Sequence, residues 1–295
     1  MASATPYVVN PIEGNPHTHT IIFLHGRDSV AKEFADELFE SEASPSTEST
    51  STGLTLPDLL PTIKWVFPSA PLLHSARFNK EMSQWFDMWS AQSPSERPEL
   101  QIPGLKQSIK YIQSVVDCEA TLLKKGGGRE RVFLAGISQG FAAAIASYFA
   151  EGRGDLAGVI GLSSWMPFVE QAEGCLDNLP IMKDGRGMND VMVTRKLSQI
   201  YRFGDEEVGE EIPGVEEGSA RIAFRTSLFL EHCADDKVVP KENGERMKKA
   251  LTAIVDRCCG RVEWHLYEGG GQWLNEPQGV DDLVKFIREN MAKGG

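Results

Sequence analysis

The alternation of short, β-branched apolar segments with longer segments of helical periodicity constrains this chain most strongly. It is typical of a mainly parallel sheet with helices on both faces, and it predicts an α/β fold. With 295 residues, 41% of them hydrophobic, the chain can bury one large core, so a single domain over residues 1–295 is expected. The predicted strands are residues 20–24, 64–67, 131–135, 158–162, 227–231 and 262–267, and the predicted helices are 105–123, 141–150, 244–255 and 281–290.

Two segments interrupt this alternation. Residues 41–53 are rich in Ser, Thr, Glu and Pro and almost free of apolar residues, which predicts a mobile surface loop. Residues 168–221 are mixed in pattern and connect two predicted strands where a short crossover would suffice. Connections of that length are often lids or binding elements, so we expect a partial cap over the functional site of the protein. A tolerated surface insertion is the alternative.

The charge of the chain limits its partners. A net charge of −12 and a pI near 5.1 argue against nucleic acids and anionic membranes, because both require a basic surface. A neutral or cationic substrate, or an uncharged acyl chain, fits better. No apolar segment approaches the ~20 residues that a membrane span needs, and the N-terminal residues do not resemble a signal peptide. The cytoplasm is therefore the expected location.

The cysteines indicate neither a metal site nor a disulfide framework. The chain has five, at positions 118, 175, 233, 258 and 259, and none of them forms a CxxC pair. An odd number without that spacing favours reduced thiols. We assign no metal and no cofactor.

A Gly-x-Ser-x-Gly motif at residues 136–140 is the first candidate for catalysis. The motif alone is weak evidence, but here an apolar strand leads directly into Gly136 and a helical pattern begins directly after Gly140. A strand, a sharp turn and a helix together place a serine hydroxyl at the carboxyl end of a sheet. This context predicts Ser138 as a nucleophile, with an ordinary turn serine as the alternative.

Two further segments supply candidate partners for Ser138. The first strand ends in the loop 25–28, where the main-chain N–H of Arg27 can join that of Gln139 in an oxyanion hole. His25 is assigned to substrate binding and given no catalytic role. Two adjacent carboxylates follow the strand 227–231, and Asp236 is the better candidate for the acid of a catalytic triad. Asp235 could instead fill that role or hold the loop, and a solvated acidic turn is the remaining alternative.

Taken together, these residues resemble the acyl-protein thioesterase/carboxylesterase family of α/β-hydrolases, in its fungal-type branch. The resemblance covers nearly the whole chain outside 41–53 and 168–221. It implies an α/β-hydrolase fold and hydrolysis of acyl esters or acyl thioesters, S-acylated proteins among them, and it implies the roles given above for Ser138, Asp236, Arg27 and Gln139. It also places Trp85 and Trp165 near the acyl-binding groove, although either could fill core instead. The resemblance is carried by residues 22–26, 83–87, 136–140, 162–167, 232–240 and 267–273.

The chain departs from the family pattern at Gln272, which occupies the position of the catalytic histidine. A primary amide cannot accept a proton near neutral pH, so it cannot activate a serine as a general base. The expectation is a hydrolase that is strongly impaired or is an inactivated variant. The alternative is a non-hydrolytic protein on the same fold that binds acyl groups or small molecules. Among the other histidines, only His74, in the loop 68–78, is expected to be mobile enough to replace the missing base.

Overall fold

In a computed structural model, the protein is described for residues 5–45, 53–177, 188–204, 225–256 and 260–294. The strands are β1 (Tyr7–Val9), β2 (His19–Leu24), β3 (Ile63–Phe67), β4 (Leu72–Ser75), β5 (Lys80–Ser83), β6 (Val132–Ile137), β7 (Gly158–Leu162), β8 (Leu228–Cys233) and β9 (Val262–Tyr267). The helices are α1 (Ala31–Leu38), α2 (Leu56–Leu59), α3 (Gln101–Leu122), α4 (Gln139–Glu151), α5 (Val169–Asp177), α6 (Met188–Arg202), α7 (Lys241–Val255) and α8 (Gln278–Met291).

The described strands form one large sheet and one small hairpin. The large sheet has the order β1-β3-β2-β6-β7-β8-β9, with β1 antiparallel to β3 and all other neighbours parallel. Strands β4 and β5 pair only with each other. The predicted mainly parallel sheet between helices is therefore confirmed. The carboxyl ends of β2, β6, β7, β8 and β9 meet at one edge, which is where ligands bind in such sheets.

The central strands are buried along their whole length. Strands β6 and β7 have the continuous apolar sequences that burial on both faces favours. Side chains of β2 alternate between two cores: Ile22 and Leu24 pack with the layer that contains α3, α4 and α7, and Ile21 and Phe23 pack with α1 and α8. This period of two fixes the register, because a shift by one residue would exchange the two faces.

The described part of the segment 168–221, for which a partial cap is predicted, consists mainly of two helices. Helices α5 and α6 are layer helices: α6 packs against α4, and α5 packs against α6 and α7. Ala172, Leu176, Val193, Leu197 and Tyr201 join the hydrophobic core. Residues 178–187 and 205–221 of the predicted cap lie outside the described residues.

The predicted surface loop 41–53 is described only at its two ends, since residues 46–52 lie outside the described residues. At the first end, the Ser44 hydroxyl donates a hydrogen bond of 2.5 Å to Asp281, and residue 42 bridges to residue 55. These contacts attach the first end of the segment to α8 and to the start of α2. In the described residues, we find no helix that is both long enough and apolar enough to cross a membrane.

Candidate active site

Ser138 lies on a sharp turn between β6 and α4, at the carboxyl edge of the sheet. Its backbone angles, φ of 53° and ψ of −126°, fall outside the regions that residues other than glycine normally adopt. The turn is held on both sides: the Ser138 N–H donates to the Leu162 carbonyl at 2.9 Å, and the Ser138 carbonyl accepts from the Ser164 hydroxyl at 2.6 Å. A strained serine held in this way is a recurring feature of nucleophiles.

The two glycines of the motif are required by close backbone contacts. A Cβ atom on Gly136 would lie 2.5 Å from the main-chain nitrogen of Phe141. A Cβ atom on Gly140 would lie 2.4 Å from the carbonyl oxygens of both Leu24 and His25. These distances are far inside van der Waals contact, and the obstructing atoms belong to the backbone. The motif therefore brings the start of α4 directly against the end of β2.

Arg27 and Gln139, whose main-chain N–H groups are proposed for the oxyanion hole, line the same cleft as Ser138. Gln139 is the first residue of α4, so its N–H has no acceptor within the helix. Among the described residues, neither this N–H nor that of Arg27 forms a hydrogen bond. The Gln139 side chain is anchored to the segment before α3, since it accepts from the Trp85 N–H and donates to the Phe86 carbonyl, each at 2.9 Å.

Gln272 contacts Ser138 directly. Its amide Nε2 donates a hydrogen bond of 3.0 Å to the Ser138 Oγ. The loop that carries Gln272 connects β9 to α8 and is tied to the end of β8 by two carboxylates. Asp235 accepts from the Gly271 N–H at 2.9 Å, and Glu231 accepts from the Asn275 N–H at 2.6 Å. Of the two roles left open for Asp235, the structure shows it holding this loop.

Asp236 is buried beside this loop, and its side chain is fully inaccessible to solvent. Its Oδ1 accepts from the main-chain N–H groups of Val238 and Val239, at 2.8 and 2.9 Å. Its Oδ2 has no hydrogen-bond partner and makes no hydrogen bond to Gln272. The structure thus links Ser138 to Gln272 but does not link Gln272 to Asp236. The atom nearest to Asp236 Oδ2 among the charged and titratable groups described is Nε2 of His232, at 3.6 Å.

Ser138 opens into a cleft of about 450 Å³. Its charged lining residues are Arg27, Lys80, Asp28 and Glu37, and their formal charges cancel. The sequence did not indicate the apolar lining, because these residues come from separate elements and only the fold brings them together. They are Phe34, Phe78, Met82, Met88, Val238 and Trp273.

The three residues predicted to bind substrate have different surroundings. Trp165 lines the cleft. Trp85 is fully buried and donates its indole N–H to the His25 carbonyl, so it fills core instead. His25 is also buried and does not line the cleft. Its Nδ1 donates to the Gly26 carbonyl at 2.7 Å and its Nε2 accepts from the Ala70 N–H at 3.1 Å, and burial lowers its pKa, so the ring is a neutral brace for the loop.

No other histidine replaces the missing base. All six histidines lie in the described part of the chain, and none lines the cleft. His74 is on β4, where it faces Glu81 at 3.6 Å. His232 is fully buried and donates to the Val239 carbonyl at 2.8 Å. Within the described segments, no cluster of His, Cys, Asp or Glu side chains has a geometry that could hold a metal ion.

Comparison with known proteins identifies the family. The sequence profile of the phospholipase/carboxylesterase family matches residues 4–201, about two thirds of the chain. The chain belongs to this family. The acyl-protein thioesterase 1 of Yarrowia lipolytica is 26% identical over 278 residues, covering 94% of each chain. The acyl-protein thioesterase 1 of Cryptococcus neoformans is 27% identical over 200 residues, covering 65% of this chain and 72% of its own.

Solved structures of the phospholipase/carboxylesterase type share the fold. The acyl-protein thioesterase 2 of Zea mays matches with a TM-score of 0.60 and 21% identity, covering 97% of this chain and 98% of its own. The esterase PE8 also gives a TM-score of 0.60, at 18% identity, covering 98% and 99%. At these identities the likeness shows the α/β-hydrolase fold alone. The family itself is one of ester and thioester hydrolases.

Proposed function

We propose that this chain is a serine hydrolase of acyl esters or acyl thioesters in which Gln272 has replaced the general base, so that turnover is strongly slowed. Ser138 is the nucleophile, Arg27 and Gln139 supply the oxyanion hole through their main-chain N–H groups, and Asp236 is the triad acid. The observation that carries the proposal is the 3.0 Å contact between Gln272 Nε2 and Ser138 Oγ, because it puts residue 272 where a base must be.

The chemical step explains why this substitution matters. Attack by Ser138 on an acyl carbon requires transfer of its hydroxyl proton, and negative charge then develops on the acyl oxygen. The free N–H groups of Arg27 and Gln139 can stabilise that charge without Gln272. The amide of Gln272 has no basic lone pair near neutral pH, so the proton has no acceptor at position 272. Loss of the base in a serine hydrolase can cost up to ~10⁶ in turnover.

An acyl substrate is supported by the cleft and by the relatives. Most of the lining is apolar, and the four charged lining residues balance one another. Two relatives bear the name acyl-protein thioesterase 1, which supports extending the substrates to S-acylated proteins. We place this activity in the cytoplasm, and the free thiols of Cys118, Cys175 and Cys233 support a reducing compartment.

Restoring the base tests the proposal. Gln272→His should raise turnover of a short p-nitrophenyl ester and a palmitoyl thioester by ~10³ to 10⁶, because the imidazole can accept the Ser138 proton and bond the free oxygen of Asp236. Ser138→Ala in that background should abolish the gain. Gln107→His, on the exposed face of α3, is the matched control and should change nothing. Gln272→His that folds but cleaves neither substrate contradicts the proposal.

The contact between Gln272 and Ser138 also favours a second candidate, a non-hydrolytic protein that binds acyl groups. In this contact Gln272 acts as a hydrogen-bond donor, which is the reverse of what a base does. The same comparison separates the two candidates. A hydrolase gains turnover on Gln272→His, whereas a binding protein whose cleft cannot align an ester does not.

A further inference from the structure

Strand β9 lies at one end of the large sheet, and its outer edge carries backbone groups that point away from β8. The Arg261 carbonyl accepts from the Leu228 N–H at the start of β8, and the Tyr267 carbonyl accepts from the N–H that follows the end of β8. Backbone groups of a strand alternate between its two sides, so the odd-numbered residues of β9 face β8. The even-numbered residues therefore direct their N–H and C=O groups outward. They are Val262, Trp264 and Leu266.

This outer edge is open. In the part of the chain that the structure describes, the outward N–H and C=O groups of β9 form no hydrogen bond. Leu266 is 40% exposed, and the Arg261 side chain at the other end of the strand is 56% exposed. Sheets commonly protect such an edge with proline or lysine, and β9 contains neither. An unprotected edge is a template for pairing with a further strand.

The two faces of β9 differ in chemistry. Val262 and Trp264 pack against the core layer that contains α7, and Leu266 shares their face because side chains alternate along a strand. The opposite face carries Glu263 and His265. Both faces are symmetric about Trp264: apolar side chains lie on either side of it on one face, and a carboxylate and an imidazole flank it on the other. Such a strand is complementary to a second copy of itself.

We infer that β9 is an interaction surface for a second copy of this chain, and that the two copies pair antiparallel about a two-fold axis at Trp264. In this register Val262 lies opposite Leu266 of the second copy, and the two copies of Trp264 lie opposite each other. These are the residues whose backbone groups point outward, so each opposed pair can exchange two hydrogen bonds. The result is one continuous sheet across both copies.

Charge complementarity selects this register. The polar face places Glu263 opposite His265 of the second copy, on either side of the axis. An axis at Glu263 would instead oppose two carboxylates, and like charges opposed across strands are destabilising. An axis at His265 would set Val262 against Glu268 of the second copy, which opposes an apolar side chain to a charge. The axis at Trp264 avoids both.

Two effects limit the strength of this contact. The net charge of −12 on each copy opposes association, although physiological salt screens charges that lie more than ~8 Å apart. A pair of six-residue strands is also a small interface, which places the expected dissociation constant in the micromolar range. Neither Ser138 nor Gln272 takes part in this contact, so the dimer and the proposed function are independent.

Sedimentation velocity of the unmodified chain at about 1 to 100 μM should show a single copy of 32.5 kDa passing to twice that mass as concentration rises. Leu266→Lys puts a charge against Val262 of the second copy and should weaken dimerisation by about tenfold or more. Val8→Lys is the matched control, because Val8 is 39% exposed on β1, at the opposite end of the sheet. It adds the same charge and should leave the dissociation constant within about twofold. A chain that stays a single copy up to about 100 μM, or equal effects of the two lysines, overturns the inference.

A charge-pair rescue tests the register. Val262→Glu alone puts a carboxylate against Leu266 of the second copy and should also weaken dimerisation. In the double variant Val262→Glu/Leu266→Lys, each new carboxylate faces a new ammonium of the second copy, so dimerisation should be about tenfold tighter than in either single variant. Positions 262 and 266 are about 13 Å apart along one strand, which is too far to pair within one copy. A double variant that is folded by circular dichroism but associates no better than the single variants contradicts the inference.

Discussion

Replacement of Gly140 by alanine should destabilise the protein more than its small size suggests. Gly140 is the second residue of α4, where alanine is intrinsically the better helix former by about 1 kcal/mol. Its φ does not lie in the left-handed region, so the backbone conformation itself suits alanine. The cost must therefore come from the space that the new Cβ would occupy.

That space is taken by backbone. The Cβ would lie 2.4 Å from the carbonyl oxygen of Leu24 and 2.4 Å from that of His25, at the end of the central strand β2. A normal contact requires about 1 Å more, and neither oxygen can move without shifting a strand that is paired on both sides. Overpacking of this kind typically costs 1–3 kcal/mol, and backbone obstruction places this site at ~3 kcal/mol or above. For a domain of 295 residues, that corresponds to a fall in Tm of roughly 5 °C or more.

The same substitution at Gly174 is the matched control. Gly174 lies in α5, and a Cβ there meets no atom within 4 Å. Gly174→Ala should therefore leave Tm unchanged or raise it by the equivalent of about 0.5–1 kcal/mol. Both variants are compared by calorimetry and by circular dichroism at one pH. A Gly140→Ala variant whose Tm lies within 1 °C of the unmodified chain would show that α4 and β2 do not approach as described, and the geometry assigned to Ser138 would be wrong with it.

Three further predictions concern the residues around position 272. Burial raises the pKa of Glu231 to about 8, so the folded state keeps its proton between about pH 4.5 and 8 while the unfolded state loses it. Stability should therefore fall as pH rises through this window, by up to ~1.4 kcal/mol per pH unit, and Glu231→Gln should flatten that slope in urea unfolding series at pH 5 to 8. An unchanged slope would mean that other groups set it. In the Gln272→His background, Asp236→Asn should lower turnover by about 10⁴, because the histidine loses the acceptor that fixes its tautomer, and a change below tenfold would remove Asp236 from the triad. Asp235→Ala in the same background should lower turnover by a smaller factor without abolishing it, since it frees only the Gly271 N–H. A loss as large as that of Asp236→Asn would instead make Asp235 the triad acid.

The central sheet and the nucleophile turn could be predicted from the sequence because their information is local. Strands β6 and β7 are continuous apolar segments, and β8 begins with three apolar residues, a pattern typical of buried parallel strands. The glycines at 136 and 140 occupy fixed positions around Ser138, so a short segment specifies the turn. By contrast, β1 and the hairpin of β4 and β5 are short and partly exposed, and no periodic signal marked them.

Helices α5 and α6 show what sequence reasoning about residues 168–221 could not supply. The length and mixed composition of residues 168–221 suggested a cap, but the described part of this segment packs against α4 and α7. Whether an amphipathic helix covers a cleft or joins a layer depends on which apolar surface is left uncovered by the rest of the chain. A single segment does not contain that information.

The sequence by itself determined the type of fold, the family resemblance and the absence of a base at position 272, since each depends on residue identities within short segments. Only the tertiary structure decided the direction of the hydrogen bond from Gln272 to Ser138, the lack of a partner for the second oxygen of Asp236, and the core position of Trp85. The physical reason is distance along the chain. Ser138 and Gln272 are 134 residues apart along the chain. They are in contact because the loops that follow the parallel strands β6 and β9 lie at the same edge of the sheet.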